Sequence, residues 1–482
     1  MESLKQKVLS GVFWLGLERF GGQGIQFVVS IVLARLLLPE DYGMIAVLLV
    51  FTALAGAFID CGFQVALIQK KDLTEADCDS VFWLNLASGI LIYSLLFVCA
   101  PWVGDFYKND KLCLLLRVLA LNPVIGSLAI VHRAKLSRGM LFALQLRINW
   151  LSMVCSAVVG ISMALGGAGP WALMGQIITN VIISTISYWW FIPWRPRWGD
   201  FEWSSIKTLF NFSYKILVVG LVDSAFFNGF QLLVGKCFDI KTLAYYNRGN
   251  SLPSVGMMAI SNTLGGVMFP AFSSIQTDRE QLRKVFSVTL QTCMFLVIPI
   301  MVFCFIMAHS IIIVLLTSKW EPCTIFMQIA AVTYLFWPIH ILNLQIIQAT
   351  GRSELMLKLE IIKKAILLII IVCTISRGVI ALAAGMALSS LISSVVNAWS
   401  MEKLIGFGYL KQLRLIFPYL LFSLLSGGVT SLVVYGVSNI YFKLFAGGIL
   451  FCGLYFLFCC GLKQNPKPIL QILPALRKKF LH

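Results

Sequence analysis

The sequence predicts an all-α polytopic membrane protein, and three observations lead to that fold class. Of the 482 residues, 59% are hydrophobic and only 12% are charged, whereas soluble domains carry about 25% charged residues. Apolar runs of about 20 residues, long enough to cross a bilayer as helices, recur along the whole chain. The 38 Lys and Arg residues gather in short clusters between those runs, a pattern typical of membrane proteins and not of nucleic-acid-binding proteins.

Fourteen stretches qualify as transmembrane helices. The first contains Glu18 and Arg19 and is followed by no small-residue cleavage site, so we expect it to be retained and not removed as a signal peptide. The longest interval between spans, 194–208, is too short for a soluble domain, which argues against an enzyme with an extramembrane catalytic part. The predicted spans lie near 11–37, 43–68, 80–104, 112–132, 143–166, 170–193, 209–235, 244–271, 285–308, 322–349, 365–377 (extended backwards through Leu355–Lys364), 379–401, 415–437 and 441–462.

The distribution of cations between alternate loops predicts the orientation. The two termini and the loops that join even- to odd-numbered spans together hold 25 Lys and Arg residues, and the opposite loops hold 9. Both termini are therefore predicted to be cytoplasmic. The cations on the predicted outer side are Arg35, Lys108, Lys111, Arg117, Lys236, Lys241, Lys319, Arg377 and Lys443.

The first twelve spans are predicted to form two six-helix lobes, because short motifs recur at a nearly constant offset. The acid, amide, Gly and Gln of Glu18–Gln26 recur in the same order in Asp223–Gln231, 205 residues later. Six spans per copy give both copies the same orientation, so the repeats are parallel and enclose a central cleft for a transported molecule. The predicted division is an N-terminal lobe at 1–207, a C-terminal lobe at 208–404, and two extra helices with a basic cytoplasmic tail at 405–482.

The chain carries no enzyme signature. It lacks a phosphate-binding loop, a zinc-protease motif, a dinucleotide-binding motif and a nucleophile elbow. Its four His residues are scattered without ligand spacing, so we predict no metal and no cofactor. His340, inside the tenth span, is interpreted as a hydrogen-bonded packing residue, and a proton carrier is the alternative. Without a nucleotide site, transport must use a gradient, the membrane potential or mass action.

Polar residues inside the predicted spans are the candidate site, because such groups are costly in a membrane and usually face a bundle interior. Arg19, Gln23 and Gln26 recur at spacings of four and three residues, which places them on one helix face. Asn228 and Gln231 occupy the matching positions of the seventh span. We expect these two stripes to border the cleft.

The ionisable residues near the stripes divide into an anion-binding set and an ion-coupling set. Arg guanidinium groups bind phosphate oxygens bidentately, and Lys adds a point charge. The alternative is that Glu18–Arg19 and Lys215–Asp223 neutralise each other or extend to the membrane interface. The predicted anion-binding residues are Arg19, Lys215 and Arg248, and the predicted ion-coupling residues are Glu18, Asp60 and Asp223.

Five motifs stand out: Leu33–Gly43, Asp60–Gln69, Gly169–Leu173, Tyr245–Arg248 and Phe269–Gln276. Together they resemble the polysaccharide-export family, and more narrowly Wzx-type flippases of colanic acid and O-antigen, over 1 to about 404 and more loosely to the end. The resemblance implies the multidrug/oligosaccharidyl-lipid/polysaccharide (MOP) exporter fold. Related precursor flippases place cations on the first and eighth spans in the cleft, so the resemblance carries over Arg19 and Arg248.

The resemblance also implies a cargo and a location. Its members move undecaprenyl-pyrophosphate-linked oligosaccharide from the inner to the outer leaflet of the bacterial cell membrane by alternating access, for O-antigen, capsule or exopolysaccharide synthesis. The implied partners are the bilayer, the lipid-linked oligosaccharide and the polysaccharide polymerase machinery, and no nucleic acid.

Two other functions remain open. A cation-coupled multidrug extruder of the same fold should have a net acidic cleft, whereas this chain supplies three basic and three acidic candidates. An O-antigen polymerase or ligase should carry a large outer loop with Arg or His, and no predicted outer loop is long enough.

Overall fold

The structure, a computed structural model, confirms an all-α membrane protein. It describes residues 21–70, 72–139, 141–199 and 201–461, without the side chains at 211–212, 215–216, 219–220, 222–223, 225–227, 258–259, 261–267, 270, 353 and 461. Every regular element within these ranges is a helix. By length and composition, ten segments of the described chain can each cross a membrane.

The first of two compact units is Met1–Ala244. It contains ten helices in its described part, and α11 begins at its end. These helices are α1 (Gly21–Leu36), α2 (Pro39–Asp60), α3 (Phe63–Gln69), α4 (Glu75–Tyr107), α5 (Lys111–Leu119), α6 (Leu121–Ser127), α7 (Ile130–Arg138), α8 (Phe142–Leu165), α9 (Pro170–Phe191) and α10 (Trp203–Cys237).

The second unit is Tyr245–His482. Its described part holds most of the helix that begins at Ile240, eight further α-helices and a single 3-10 turn, Ser318–Trp320. The helices are α11 (Ile240–Ser274), α12 (Arg279–Ile306), α13 (Ala308–Leu316), α14 (Cys323–Leu335), α15 (Trp337–Ala349), α16 (Ser353–Ile375), α17 (Val379–Ile405), α18 (Tyr409–Val433) and α19 (Ile440–Gly461).

Ten of the fourteen predicted spans coincide with the ten membrane-crossing segments. Three of these segments contain more than one helix: α2 with α3, α5 through α7, and α14 with α15. The seventh, eighth and eleventh predicted spans coincide with α10, α11 and α16 instead. The described part of the first predicted span coincides with α1, and its residues 11–20 lie outside the described residues. The count of fourteen spans and the lobe boundary at 207 therefore stay predictions.

The segment Pro39–Gln69, which corresponds to the second predicted span, is a broken helix. Cys61 and Gly62, with φ of 46° and 74°, both adopt the left-handed conformation between α2 and α3. That conformation suits Gly, which has no Cβ, and costs an L-residue such as Cys energy. The Asp60 carboxylate accepts a hydrogen bond from the Gln64 backbone N–H at 3.2 Å. This bond satisfies one of the free N–H groups at the start of α3.

Small residues allow α8 and α9 to pack closely in the first unit. A Cβ added at Gly160 would lie 2.9 Å from the Gln176 Cβ, and one added at Gly175 would lie 2.3 Å from the Met163 sulfur. Because lipid tails are as apolar as Leu, helices in a membrane associate through such close van der Waals packing and not through exclusion of water.

Each unit has its own core of fully buried side chains. In the first unit one cluster includes Leu33, Leu48 and Leu116, and a second includes Phe63 and Phe82. The second unit packs Phe272, Phe286, Ile346, Met401 and Tyr419 into one cluster that joins α11, α12, α15, α17 and α18. These cores hold fixed the helix ends at which the charged residues lie.

The long helix α10 runs beside α4 from one end of the first unit to the other. Near its start, the Glu202 amide donates to the Ser80 hydroxyl at 2.8 Å. Near its end, the Tyr107 hydroxyl donates to the Leu232 carbonyl at 3.3 Å. At 35 residues, α10 is about 50 Å long, which exceeds the roughly 30 Å hydrocarbon thickness of a bilayer.

Two glycines on α2 give a matched test of this packing. A Cβ at Gly43 would lie 2.0 Å from the Ile240 carbonyl oxygen, whereas one at Gly56 would have no neighbour within 4 Å. We expect Gly43→Ala to destabilise the purified protein by about 1–3 kcal/mol, because the backbone of the α10–α11 connection must move. Gly56→Ala should be neutral or stabilising by about 0.5–1 kcal/mol. Thermal melting in detergent measures both, and equal melting temperatures for the two variants would contradict the close approach.

Candidate functional site

The structure describes six of the ten predicted site side chains. Glu18 and Arg19 lie outside the described residues. Lys215 and Asp223 lie on α10, but their side chains are outside the described part of the structure. The predicted facing of the Glu18 and Asp223 stretches across a cleft therefore stays a prediction.

The amide stripe of α1 begins directly after two glycines that pack against α8. Gly21 and Gly22 lie against Trp150 and Met153 of α8. Gln23 is half-buried and Gln26 is exposed. Gln26, four residues after Gly22, lies one turn further along the helix face that Gly22 presents to α8.

Asn228 and Gln231, the matching amides of α10, are both half-buried. The Asn228 amide donates two hydrogen bonds within its own helix, to the carbonyl and to the hydroxyl of Ser224, each at 2.9 Å. Its NH2 group is thus held in place, and its oxygen projects from a fixed position.

Asp60 has a structural role that the sequence analysis did not predict. Its carboxylate accepts a hydrogen bond from the Gln64 backbone N–H, in the first turn of α3, at the break of the segment Pro39–Gln69. The signal lay in the sequence, since Asp is favoured at helix starts and Gly62 permits the left-handed turn before α3. The ion-coupling role stays a prediction.

Arg248 lies in an aromatic environment on α11. Its guanidinium carbon is 5.8 Å from the centroid of the Trp320 ring, and the Tyr245 ring meets the same indole edge to face at 6.2 Å. Trp320 is fully buried. Because a guanidinium group stacks favourably on an aromatic face, Trp320 fixes the position of this cation.

The backbone beside Arg248 packs closely against α14. A Cβ at Gly249 would lie 2.6 Å from the Phe326 side chain and 2.8 Å from the Cys323 carbonyl oxygen. Tyr246 adds an edge-to-face contact with the Phe326 ring at 5.9 Å. The motif Tyr245–Arg248 is therefore the surface of α11 that packs against the start of α14.

His340 on α15 is hydrogen-bonded, as expected for a packing residue. Its Nδ1 atom lies 2.8 Å from the Asn397 amide nitrogen, and its ring lies 5.4 Å from that of Trp337. The hydrogen bond joins α15 to α17, and the ring contact with Trp337 lies within α15.

At one end of the first unit, the loops that join even- to odd-numbered predicted spans meet. Lys70 pairs with the fully buried Asp77 at 2.7 Å, and Lys135 pairs with the exposed Glu75 at 2.7 Å. The Arg197 amide donates to the Asp79 carboxylate at 3.2 Å. The loops near 70, 138 and 197 therefore form one charged surface.

At the other end of the first unit, the loops that join odd- to even-numbered predicted spans meet. Lys241 pairs with Glu40 at 3.3 Å. A Cβ at Gly169, which has a φ of 57°, would lie 3.3 Å from the Asp41 carboxylate. The Tyr107–Leu232 hydrogen bond joins the same end. Loops that join odd- to even-numbered spans should all lie on one side of the membrane, because successive spans run in opposite directions. The contacts at this end agree with that expectation.

The second end brings together residues that the sequence analysis had treated only as separate loop charges. Lys108 and Lys111 lie just after the end of α4. More than a hundred residues later, Lys236 lies in the last turn of α10 and Lys241 in the first turn of α11. No sequence signal joins the two pairs, because their proximity depends on the packing of α4 against α10.

Comparison with known proteins identifies the family. The family described as "Polysaccharide biosynthesis protein" matches residues 32–325, which is more than half of the chain. The chain belongs to this family. The match includes the motifs at 33–43, 60–69 and 169–173, and it also includes Arg248.

Two relatives are similar over most of their length. The Teichuronic acid biosynthesis protein TuaB of Bacillus subtilis is 23% identical over 362 residues, 74% of each chain. The Lipopolysaccharide biosynthesis protein WzxC of Escherichia coli is 24% identical over 403 residues, 82% of this chain and 80% of WzxC.

Solved structures share the fold. The Lipid II flippase MurJ, in its inward closed conformation, matches with a TM-score of 0.71 and 14% identity over 93% of this chain and 98% of MurJ. An inward-facing multidrug resistance MATE family transporter of the MOP superfamily matches with a TM-score of 0.61 and 14% identity over 81% of this chain and 98% of the transporter. The chain therefore has the fold of MOP-superfamily transporters.

Proposed function

We propose that this protein moves an undecaprenyl-pyrophosphate-linked oligosaccharide from the cytoplasmic to the outer leaflet by alternating access, for the synthesis of a cell-surface polysaccharide. The observation that carries the proposal is the family match over residues 32–325 in a chain whose fold matches a lipid II flippase over 93% of its length. WzxC and TuaB, whose names place them in lipopolysaccharide and teichuronic acid synthesis, support a lipid-linked sugar as cargo. Polymerase machinery would then consume the product.

Such a cargo needs fixed cations along its path. A pyrophosphate headgroup cannot cross about 30 Å of hydrocarbon unless its charge is met, because desolvating an unpaired charge costs many kcal/mol. The cytoplasm is electrically negative, so outward movement of an anion is downhill by about 2.3 kcal/mol per charge per 100 mV. The protein need only lower the barrier and return to its starting state, and no nucleotide hydrolysis is required.

Arg19 and Arg248 are the proposed cations, with Lys215 and the amides of Gln23, Gln26, Asn228 and Gln231 as further ligands. The stacking of Arg248 on Trp320 supports this role, since a guanidinium group with a fixed position binds phosphate without first losing its own freedom. In the empty site, ionised Glu18, Asp60 or Asp223 would neutralise these cations during the return step, and exchange of an ion or a proton at the same carboxylates would couple that step to an ion gradient.

Arginine variants test this assignment. Arg19→Ala and Arg248→Ala should each abolish flipping by reconstituted protein, and the Lys variants should restore it only in part because bidentate binding is lost. The measurement follows a lipid-linked oligosaccharide with a probe that reacts in one leaflet only.

Arg377→Ala is the matched control, because Arg377 is exposed at the end of α16, outside the proposed site. We expect it to flip at the wild-type rate and to melt with the wild type. Wild-type rates in both Arg19→Ala and Arg248→Ala would rule out the two arginines as the anion site.

We also propose a bacterial inner-membrane location with both termini in the cytoplasm. The loop charge count supports it, and so does the first unit, whose two ends group the loops as the alternation requires. Three membrane-crossing segments lie between Tyr107 and α10. The contact between Tyr107 and Leu232 at one end of the unit supports the proposal that α10 is a fourth crossing.

Cysteine labelling tests the topology. In a chain without its thirteen native cysteines, Asp110→Cys and Thr277→Cys introduce thiols at exposed positions of two loops. An impermeant maleimide should label Asp110→Cys on intact cells and Thr277→Cys only after permeabilisation, because the two loops are predicted to lie on opposite sides. The parent chain without cysteines is the blank, and labelling of both positions from one side would refute the topology.

A cation-coupled multidrug extruder is the second candidate, supported by the MATE-like fold. The flippase is favoured because an extruder of organic cations requires a net acidic cleft, and the candidate residues here comprise as many basic as acidic groups. An organic cation tested in the reconstituted system separates the two functions.

A further inference from the structure

An aromatic groove lies on the first unit between α2, α4 and α10. It has a volume of about 460 Å³ and is lined by apolar side chains apart from Lys236, including Phe51, Trp102 and Leu232. Trp102 is 67% exposed and Phe106 is 51% exposed. Because this part of α4 is the last two turns of a membrane-crossing segment, we expect the aromatic groove to face the bilayer.

A lysine basin adjoins the groove at the ends of the same helices. It also has a volume of about 460 Å³, and its charged lining consists of Lys108, Lys111, Lys236, Lys241, Glu40 and Asp239. These are four of the nine cations that the sequence places on the outer side. Cations are disfavoured in outer loops, so the convergence of four lysines on one cavity indicates that they bind a ligand.

The lysine basin has an excess of two positive charges. Lys241 is neutralised by Glu40 at 3.3 Å. Lys108, Lys111 and Lys236 form no ion pair with any other residue that the structure describes, and only Asp239 remains among the lining residues to oppose them. Such a cavity attracts a ligand with two negative charges.

Lys236 and Tyr107 line both cavities and fix the junction between them. The Lys236 ammonium lies over the Phe106 ring, 3.8 Å from its centroid, and donates to the Phe106 carbonyl. The Tyr107 hydroxyl donates to the Leu232 carbonyl at 3.3 Å. A polar site and an apolar groove thus meet at one edge that is held by two contacts between α4 and α10.

We propose that the lysine basin and the aromatic groove together bind a polyprenyl diphosphate lipid in the outer leaflet, with the diphosphate in the basin and the chain in the groove. The identification of this lipid as the transported cargo after it has crossed rests on the proposed function. The site would hold the lipid as it leaves the protein.

Charge and shape favour this lipid over a bulk anionic phospholipid. A diphosphate that links a lipid to a sugar carries one negative charge on each phosphorus, which matches the excess of two in the lysine basin. A phospholipid such as phosphatidylglycerol carries one charge and two chains, whereas a polyprenyl diphosphate has the one chain that the aromatic groove beside the lysine basin would take.

The direct test is binding of undecaprenyl diphosphate to the purified full-length chain, measured by native mass spectrometry. The experiment uses Arg19→Ala/Arg248→Ala protein, so that the proposed transport site does not contribute. Adding Lys111→Gln and Lys236→Gln should weaken binding about tenfold for each lysine, because each removes one charged hydrogen bond to the diphosphate. Lys236→Arg should retain most of the affinity, since it keeps the charge.

The two parts of the site have separate probes. Trp102→Ala should weaken binding of undecaprenyl diphosphate and leave that of inorganic pyrophosphate unchanged, because Trp102 lines only the aromatic groove. The lysine variants should weaken both. Lys443→Gln is the matched control, a lysine of another predicted outer loop that lies on α19, and should change neither.

Two results would overturn the proposal. One is an affinity for undecaprenyl diphosphate that stays within about twofold in the double lysine variant. The other is displacement of undecaprenyl diphosphate by phosphatidylglycerol at equal concentration, which would make the site a phospholipid site. Failure of the wild type to flip a lipid-linked oligosaccharide would refute the proposed function, but the lysine-dependent binding would still establish the lipid site.

Discussion

The cost of a charge inside about 30 Å of hydrocarbon governs both this protein and its proposed cargo. In the first unit the charged pairs lie at two opposite ends, with Lys70–Asp77 at one and Glu40–Lys241 at the other. The length between them is formed by helices whose backbone groups are bonded within each helix, as a bilayer requires. A pyrophosphate that passes the same slab faces the same cost, and fixed cations are the means of meeting it.

Two of the motifs that carry the family resemblance build one end of this unit. Pro39 starts α2, and the Asp41 carboxylate accepts a hydrogen bond from the Leu38 amide at 3.0 Å. The same carboxylate lies beside Gly169, which precedes the first turn of α9. These residues therefore keep the helix ends in place, and the proposed ligands of the cargo come from other positions.

Hydropathy predicted the helices because the signal is local, but it could not predict where a helix breaks. The apolar run at 43–68 continues through Cys61 and Gly62, although these residues separate α2 from α3. Asp60 is predicted to be an ion-coupling residue because it is an acid in a span, and the structure adds a hydrogen bond to its carboxylate from the Gln64 backbone N–H in the first turn of α3. The lysine basin was not predictable, since it joins loops that approach each other only through the packing of α4 and α10.

The decisive measurement is the transbilayer movement of undecaprenyl-diphosphate-linked oligosaccharide in proteoliposomes with an imposed membrane potential. We expect the oligosaccharide to reach the electrically positive leaflet only in vesicles that contain the protein, and faster as the potential rises, because each negative charge gains about 2.3 kcal/mol per 100 mV. Movement at the same rate in vesicles without protein, or transport of an organic cation in its place, would contradict the flippase function.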